Sequence, residues 1–353
     1  MIIISLILLS LINLRKSQDP RGFYKCGVDS SFKYDVLEID PKPIDHNSPL
    51  YRRRLKDVDE DGFKHFNIYV DMTNIKKGIE SNKLEKYSDL FIDSINKAVE
   101  TLQALLKVKS AEIDFNLDDY LFDYMEIDDW DKEKFGTKAK NKGINLFSLG
   151  YDLVIFGNFP KGMDNRTLAT SYPFILNSET GQTVIGVFSI NKNVDYSLKN
   201  SKEYFQSIIL HEFTHILGFN SHHFDKYLHI LLKKDNIYYI NSARVIQVAK
   251  KYFNCEDIDG VPLEDYGGAG TAGSHWEAKV LLGDYMNGVV YTEEQVISEF
   301  TLALLEDTGY YKANYYTGGL MRYGKNKGCE FLKNKCVDST KQINPYFENE
   351  FFD

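Results

Sequence analysis

Residues 211–224 read His-Glu-Phe-Thr-His-Ile-Leu-Gly-Phe-Asn-Ser-His-His-Phe. Two imidazoles spaced i, i+4 lie on one face of a helix, so His211 and His215 can point ring nitrogens at a single divalent ion. Glu212, rotated about 100° from His211, falls beside that ion instead of ligating it. From there a carboxylate can take a proton from a metal-activated water and hand it to a leaving group, which is the chemistry of metal-assisted hydrolysis. The plain alternative is a buried helix whose two histidines and glutamate are satisfied within the core.

A hydrolytic zinc site needs a third protein ligand and an open position for water. In the compact pattern His-Glu-x-x-His-x-x-Gly-x-x-His the third histidine falls where this chain has Ser221. His222 and His223 are chemically suited but out of register. A glutamate from a following helix is another common solution, yet the helix read over 241–253 carries none. His275, in Gly-Thr-Ala-Gly-Ser-His-Trp-Glu, is a further candidate.

The elements that must position these residues follow from periodicity. The motif reads as part of an amphipathic helix with Asn200 as N-cap, Glu203 completing a variant capping box, and Phe205, Ile208, Ile209, Ile216 and Leu217 on its buried side. Gly218 can end it, because glycine accepts the left-handed conformation at a helix C-terminus. Upstream, alternation predicts a strand over 63–72 and three- and four-residue apolar spacing predicts a long helix over 83–108. β-Branched runs predict strands over 151–157 and 181–191, the latter as the edge along which a substrate adds as a strand. The acidic, aromatic stretch 114–135 reads as a surface excursion. Downstream, helices are expected near 225–233 and 241–253, then a glycine-rich segment over 266–277. A last helix over 291–310 has Thr292 as N-cap, Gln295 completing the box and Gly309 past its end. The fold class is α+β.

At 353 residues, with 43% hydrophobic and 14% aromatic content, the chain can bury a substantial core. Net charge is −9, and Arg52-Arg53-Arg54 is the one short basic run, which excludes a nucleic-acid footprint. That run is also a candidate processing site. The first residues carry an apolar run of roughly 13 residues, the length of a signal-peptide core and short for a membrane span. The expectation is a cleaved signal over 1–17, a polar, proline-containing propeptide-like segment over 18–54, and a secreted or lumenal product with no stable span after signal removal. Cys26, Cys255, Cys329 and Cys336 fit an oxidising compartment. Cys329 and Cys336 can close a small loop, leaving Cys26 and Cys255 to pair or stay free. Asn165-Arg166-Thr167 is a glycosylation sequon.

The combination of His-Glu-Phe-Thr-His-Ile-Leu-Gly-Phe, a long insertion, Gly-Gly-Ala-Gly-Thr-Ala-Gly-Ser-His-Trp-Glu and Tyr-Met-Asn-Gly resembles the leishmanolysin family of metzincin zinc proteases. The stretch 305–336 and the start His-Phe-Asn-Ile-Tyr-Val-Asp-Met are similar to the same family. The resemblance implies His211, His215 and His275 as zinc ligands, Glu212 as general base and Met286 as the Met-turn residue. The block around Cys26 resembles the family's propeptide cysteine block, which implies a zymogen with Cys26 as a latency ligand, although the flanking histidines usual there are absent. It further implies a zincin catalytic domain with an N-terminal mixed sheet and helix lobe (55–219) and a mainly helical or irregular C-terminal lobe (220–353). The implied function is a secreted, zinc-dependent endopeptidase acting on protein or peptide substrates, with surface association open. The further expectation is that the family's cysteine-rich third domain is absent, and the rival expectation that goes with it is a truncated, catalytically weak homologue acting in binding or adhesion.

Overall fold

A computed structural model of the chain describes residues 37–39, 58–111, 116–117, 125, 127, 129–135, 144–145, 150–160, 163, 167–194, 196, 201–265, 271–288, 295–336 and 342. The N-terminal half runs β1 (Leu37–Ile39), β2 (Lys64–His65), β3 (Ile68–Asp71), α1 (Thr73–Ser81), α2 (Ser88–Leu105), β4 (Leu106–Val108), β5 (Asn116–Leu117), α3 (Lys132–Phe135), β6 (Ile144–Asn145), β7 (Leu153–Asn158), β8 (Ala169–Asn177), β9 (Thr183–Ile190) and α4 (Ser201–Ile216). After it come β10 (Leu231–Lys234), β11 (Ile237–Ile240), α5 (Ala243–Phe253), β12 (Val261–Pro262), α6 (Glu299–Asp307), β13 (Tyr311–Ala313) and α7 (Gly328–Lys333). The fold is mixed α+β.

A five-stranded sheet in the order β1-β8-β9-β7-β3 carries the motif helix. β3, β7 and β9 run parallel, and β8 runs antiparallel to β9. β7 and β9 are buried along their whole length, as strands covered on both faces must be. One face packs on α2 and α4. Phe91 of α2 meets Phe205 of α4 at 5.3 Å between ring centroids, and Phe188 of β9 meets Phe213 of α4 at 5.3 Å. Phe205, Ile208, Ile209, Ile216 and Leu217 are all buried, as their spacing requires, each contributing about 1.5–3 kcal/mol of apolar burial. α4 lies close on the sheet because β9 has Gly186 beneath it: a Cβ there would come within 2.4 Å of Ile216.

The other sheet face is covered by Met125, Ile127 and Trp130, which pack on Val154, Phe156, Tyr172 and Phe174. These residues belong to the stretch expected to be a surface excursion. Met125, Ile127 and Trp130 supply part of a second core, and Asp129 is buried beside them.

Two strand expectations change in detail. β9 is an inner strand, so it is not the substrate edge. Next to it, among the described residues, β1 pairs with β8 at Ile175, Leu176 and Asn177 alone. β8 is absent from the periodicity reading because Pro173 interrupts it; in the structure the register shifts between Pro173 and Ile175, and a proline is tolerated at such a bulge. The helix predicted over 83–108 ends at Leu105, and its last residues become β4, which pairs with β2 and with β13.

Downstream, the helix expected near 225–233 is replaced by a single helical turn at His223–Tyr227 followed by the β10–β11 hairpin. Asp235 and Asn236 both adopt positive φ, 48° and 65°, the requirement of a tight hairpin turn whose strands match the natural twist. The last long helix starts at Glu299, capped by Ser298 accepting from the Phe300 amide, and not near Thr292, which lies outside the described residues. Val296 is held in extended pairing with Gly283 and Tyr285, which delays the helix.

The disulfide joins Cys255 to Cys329, so the small Cys329–Cys336 loop does not form. Phe253 of α5 stacks on Phe331 of α7 at 5.9 Å, and that packing brings the end of α5 to the start of α7. Cys26, Asn165, the apolar leader and the arginine run lie outside the described residues. With the two bonded cysteines 74 residues apart, closing that loop removes on the order of 4 kcal/mol of unfolded-chain entropy. Cys255→Ser and Cys329→Ser are each expected to lower stability by about 2–5 kcal/mol, and Cys336→Ser by under about 1 kcal/mol, in denaturant melts under oxidising conditions.

Candidate metal centre and active site

Helix α4 places His211 and His215 one turn apart, and the chain then reverses. Gly218, at φ +118°, makes the turn, the Phe219 amide donates to the Thr214 carbonyl, and Asn220 Nδ2 donates to the His215 carbonyl. The reversal also orients a ligand. The Phe219 carbonyl accepts from His215 Nδ1 at 2.6 Å.

His275 reaches the same point from a different part of the chain. Its carbonyl accepts from the Glu264 amide, the next residue's amide donates to the Met286 carbonyl, and Thr271 O accepts from His275 Nδ1 at 2.8 Å. His211 Nδ1 donates to Tyr285 O at 2.5 Å, so the residue before Met286 fixes the first histidine. Every Nδ1 thus has a carbonyl acceptor, which assigns the proton to Nδ1 and leaves a bare lone pair on each Nε2.

The three Nε2 atoms converge. They lie 3.0 Å (His211 to His215), 3.2 Å (His211 to His275) and 3.2 Å (His215 to His275) apart. Three acceptors facing one another cannot hydrogen-bond among themselves. Three imidazoles around a tetrahedral ion at about 2.0–2.1 Å have nitrogens roughly 3.3 Å apart, close to this triangle. The donor set and its spacing fit zinc.

The electrostatics agree. All three rings are buried, and that burial lowers the His211 pKa to about 4 and the His275 pKa to about 3, with His215 also held well below its ordinary value. The rings are therefore neutral at physiological pH, the form that ligates.

Glu212 is completely buried. Ser171, on β8, brings its Oγ to 2.9 Å from Glu212 Oε2 and 2.6 Å from the Glu212 carbonyl oxygen. Met286 is also completely buried, in a turn held by a second buried network. Asp284 Oδ1 accepts from the Met286 amide at 2.6 Å, Thr301 Oγ1 donates to the same carboxylate, and Trp276 Nε1 donates to Thr301 Oγ1 at 2.8 Å. Burial raises the Asp284 pKa to about 6, against the pull of its donors. The Tyr285 hydroxyl, 2.9 Å from Thr214 Oγ1, ties this turn to α4.

The structure brings His211, His215 and His275 together and sets aside the nearer histidines. His223 is buried, with Nε2 donating to the Gly181 carbonyl and Nδ1 3.1 Å from Asn220 Oδ1. His222 lies 3.8 Å from Glu38, away from the cluster, and Ser221 is exposed. Sequence reasoning did not reach Ser171, Thr271, Phe219, Tyr285 or the Asp284–Thr301 pair. Three of these act through carbonyl groups, which any residue type supplies, and Ser171 lies on the strand that periodicity missed.

A mixed α+β domain with a buried three-histidine centre on a sheet-packed helix is consistent with a metzincin-type metalloprotein. The chain belongs to the leishmanolysin (peptidase M8) family, whose model matches residues 84–351. Among known relatives it is similar to a leishmanolysin homolog of Crithidia fasciculata, 37% identical over 135 residues, covering 36% of this chain and 20% of that one. A leishmanolysin-like peptidase of Drosophila melanogaster is 44% identical over 97 residues, covering 28% and 14%. Leishmanolysin of Leishmania major is 30% identical over 150 residues, covering 40% and 25%. The matched stretches thus span a quarter or less of these relatives' own length.

If His275 completes the centre and the adjacent pair does not, His275→Ala removes stoichiometric zinc after dialysis, measured as metal per chain, whereas His222→Ala retains it. Zinc loss in His222→Ala with retention in His275→Ala would reverse the assignment.

Proposed function

We propose that the chain is a secreted zinc-dependent endopeptidase, with Glu212 as the general base and His211, His215 and His275 as the metal ligands. The observation that carries this reading is the convergence of three neutral, Nδ1-tethered imidazoles beside a buried glutamate. The family's general dependence on zinc supports it. Retention of the whole His and Glu set favours a peptidase over a binding or adhesion homologue.

When bound, zinc supplies a Lewis acid that polarises a carbonyl and lowers the pKa of a water. The chain's residues do the rest. The three histidines, held by the Thr271, Phe219 and Tyr285 carbonyls, would hold the ion with rings already oriented toward it. The Glu212 carboxylate takes a proton from the attacking water and delivers it to the amine nitrogen as the C–N bond breaks, so one water is consumed for each peptide bond cleaved. An extended peptide adds along β8 at Ala169–Phe174, on the side away from β9, where among the described residues no strand pairs.

Secretion rests on the apolar leader and the four cysteines, and latency on Cys26 and the segment before residue 55. Among the described residues no helix is long and apolar enough to cross a membrane. Glu212→Gln is expected to keep its zinc and lose roughly 10²–10⁴-fold in cleavage of an unfolded protein substrate. A chelator should abolish cleavage by the parent chain, with zinc restoring it. Undiminished cleavage by Glu212→Gln would exclude this mechanism.

A further inference from the structure

We infer that Ser171 is a positioning residue for the reaction: its hydroxyl holds the Glu212 carboxylate in the plane from which the proton is exchanged. The inference rests on the peptidase reading and concerns a residue outside the metal-binding motif.

Ser171 lies on β8, paired with Phe188 of β9. Alternation along the strand sets Ala169 and Ser171 toward the face that packs on α4, while Tyr172 and Phe174 point into the opposite layer with Met125, Ile127 and Trp130. The strand therefore delivers one hydroxyl to the motif helix at the level of Glu212. Both partners are buried, Ser171 at 3% exposure and Glu212 at 0%. The single hydroxyl hydrogen lies within reach of Glu212 Oε2 at 2.9 Å and of the Glu212 carbonyl oxygen at 2.6 Å.

A glutamate has three rotatable side-chain bonds, and nothing in the helix itself selects the conformer that reaches the reacting water. Fixing one carboxylate oxygen selects it before substrate arrives, since it sets the plane in which the other oxygen takes and returns the proton. A hydroxyl suits this position because its one hydrogen can be shared in a three-centre bond, with the carboxylate and the carbonyl of the same residue both accepting. Misplacement of a reacting group by about 1 Å costs up to about 10²-fold in rate. The effect belongs in kcat, because the Ser171 hydroxyl acts on the base, whereas strand addition along β8 uses backbone groups that a side-chain substitution leaves in place.

The test compares Ser171→Thr with Ser171→Val, which have nearly equal volume and differ in the hydroxyl. Zinc content, kcat and KM on an unfolded protein substrate, and affinity for a small hydroxamate are measured for both and for the parent. Zinc is expected to stay near one per chain throughout. Ser171→Val should lose roughly 10–100-fold in kcat with KM within about twofold, and should bind hydroxamate more weakly, whereas Ser171→Thr restores both. Ser171→Ala, which adds no bulk, should repeat the loss. Equal kcat in the Thr and Val variants, or a change confined to KM, would overturn the inference. If the parent chain cleaves nothing, the peptidase reading fails, and thermal melts of the metal-free variants still decide the contact. The Thr-to-Val gap in Tm should shrink in a Glu212→Ala background, and an unchanged gap would show that Ser171 does not engage that carboxylate.

Discussion

The rest of the structure depends on a repulsion: three imidazole lone pairs, buried and uncharged, are held point to point. Left to themselves the rings would turn or protonate. Burial blocks protonation, and three backbone carbonyls block rotation. Those carbonyls come from three separate stretches: Phe219 just past α4, Thr271 in the lead-in to His275, and Tyr285 in the turn before Met286. The centre is thus a junction at which the reversing loop holds the ring of His215, the downstream turn holds that of His211, and the lead-in to His275 holds its own.

That junction explains why so much buried polarity surrounds it. The Trp276–Thr301–Asp284 chain ends on the Met286 amide and so links the residue after His275 to helix α6 and to the turn that presents Tyr285. A half-satisfied network at this depth is more costly than an apolar core, and here each member has a partner in the chain of bonds. The sheet contributes from the other side. Gly186 lets α4 settle onto β9, and the same close approach brings Ser171 of β8 to Glu212.

Much of this was legible before any coordinates. The motif helix, its buried stripe and its glycine terminus follow from spacing, because a helix packed on a sheet must repeat its apolar residues near every third and fourth position. Among the candidate third ligands His275 is singled out only through resemblance to a family, since no local rule connects residues so far apart along the chain. β8 was invisible because Pro173 and the polar residues around it break the alternation that marks a strand. The stretch 114–135 reads as surface for a related reason: the three buried apolar side chains at Met125, Ile127 and Trp130 are outnumbered in the sequence by acidic neighbours. The hairpin at Asp235-Asn236 had a turn signal that the apolar run Leu228–Leu232 masked. Cysteine pairing depends on which elements stack, here α5 on α7, and spacing alone does not encode it.

The Cys255–Cys329 bond has a topological consequence for the centre. Its loop encloses His275, Asp284, Met286 and Thr301, while His211 and His215 stand outside it. A single backbone cut within the loop, such as one in the glycine-rich run before Thr271, leaves two pieces still joined through sulfur. The third imidazole and its supporting turn then cannot diffuse away from the helix that holds the other two. The covalent crosslink makes the centre tolerant of a nick that would otherwise dismantle it.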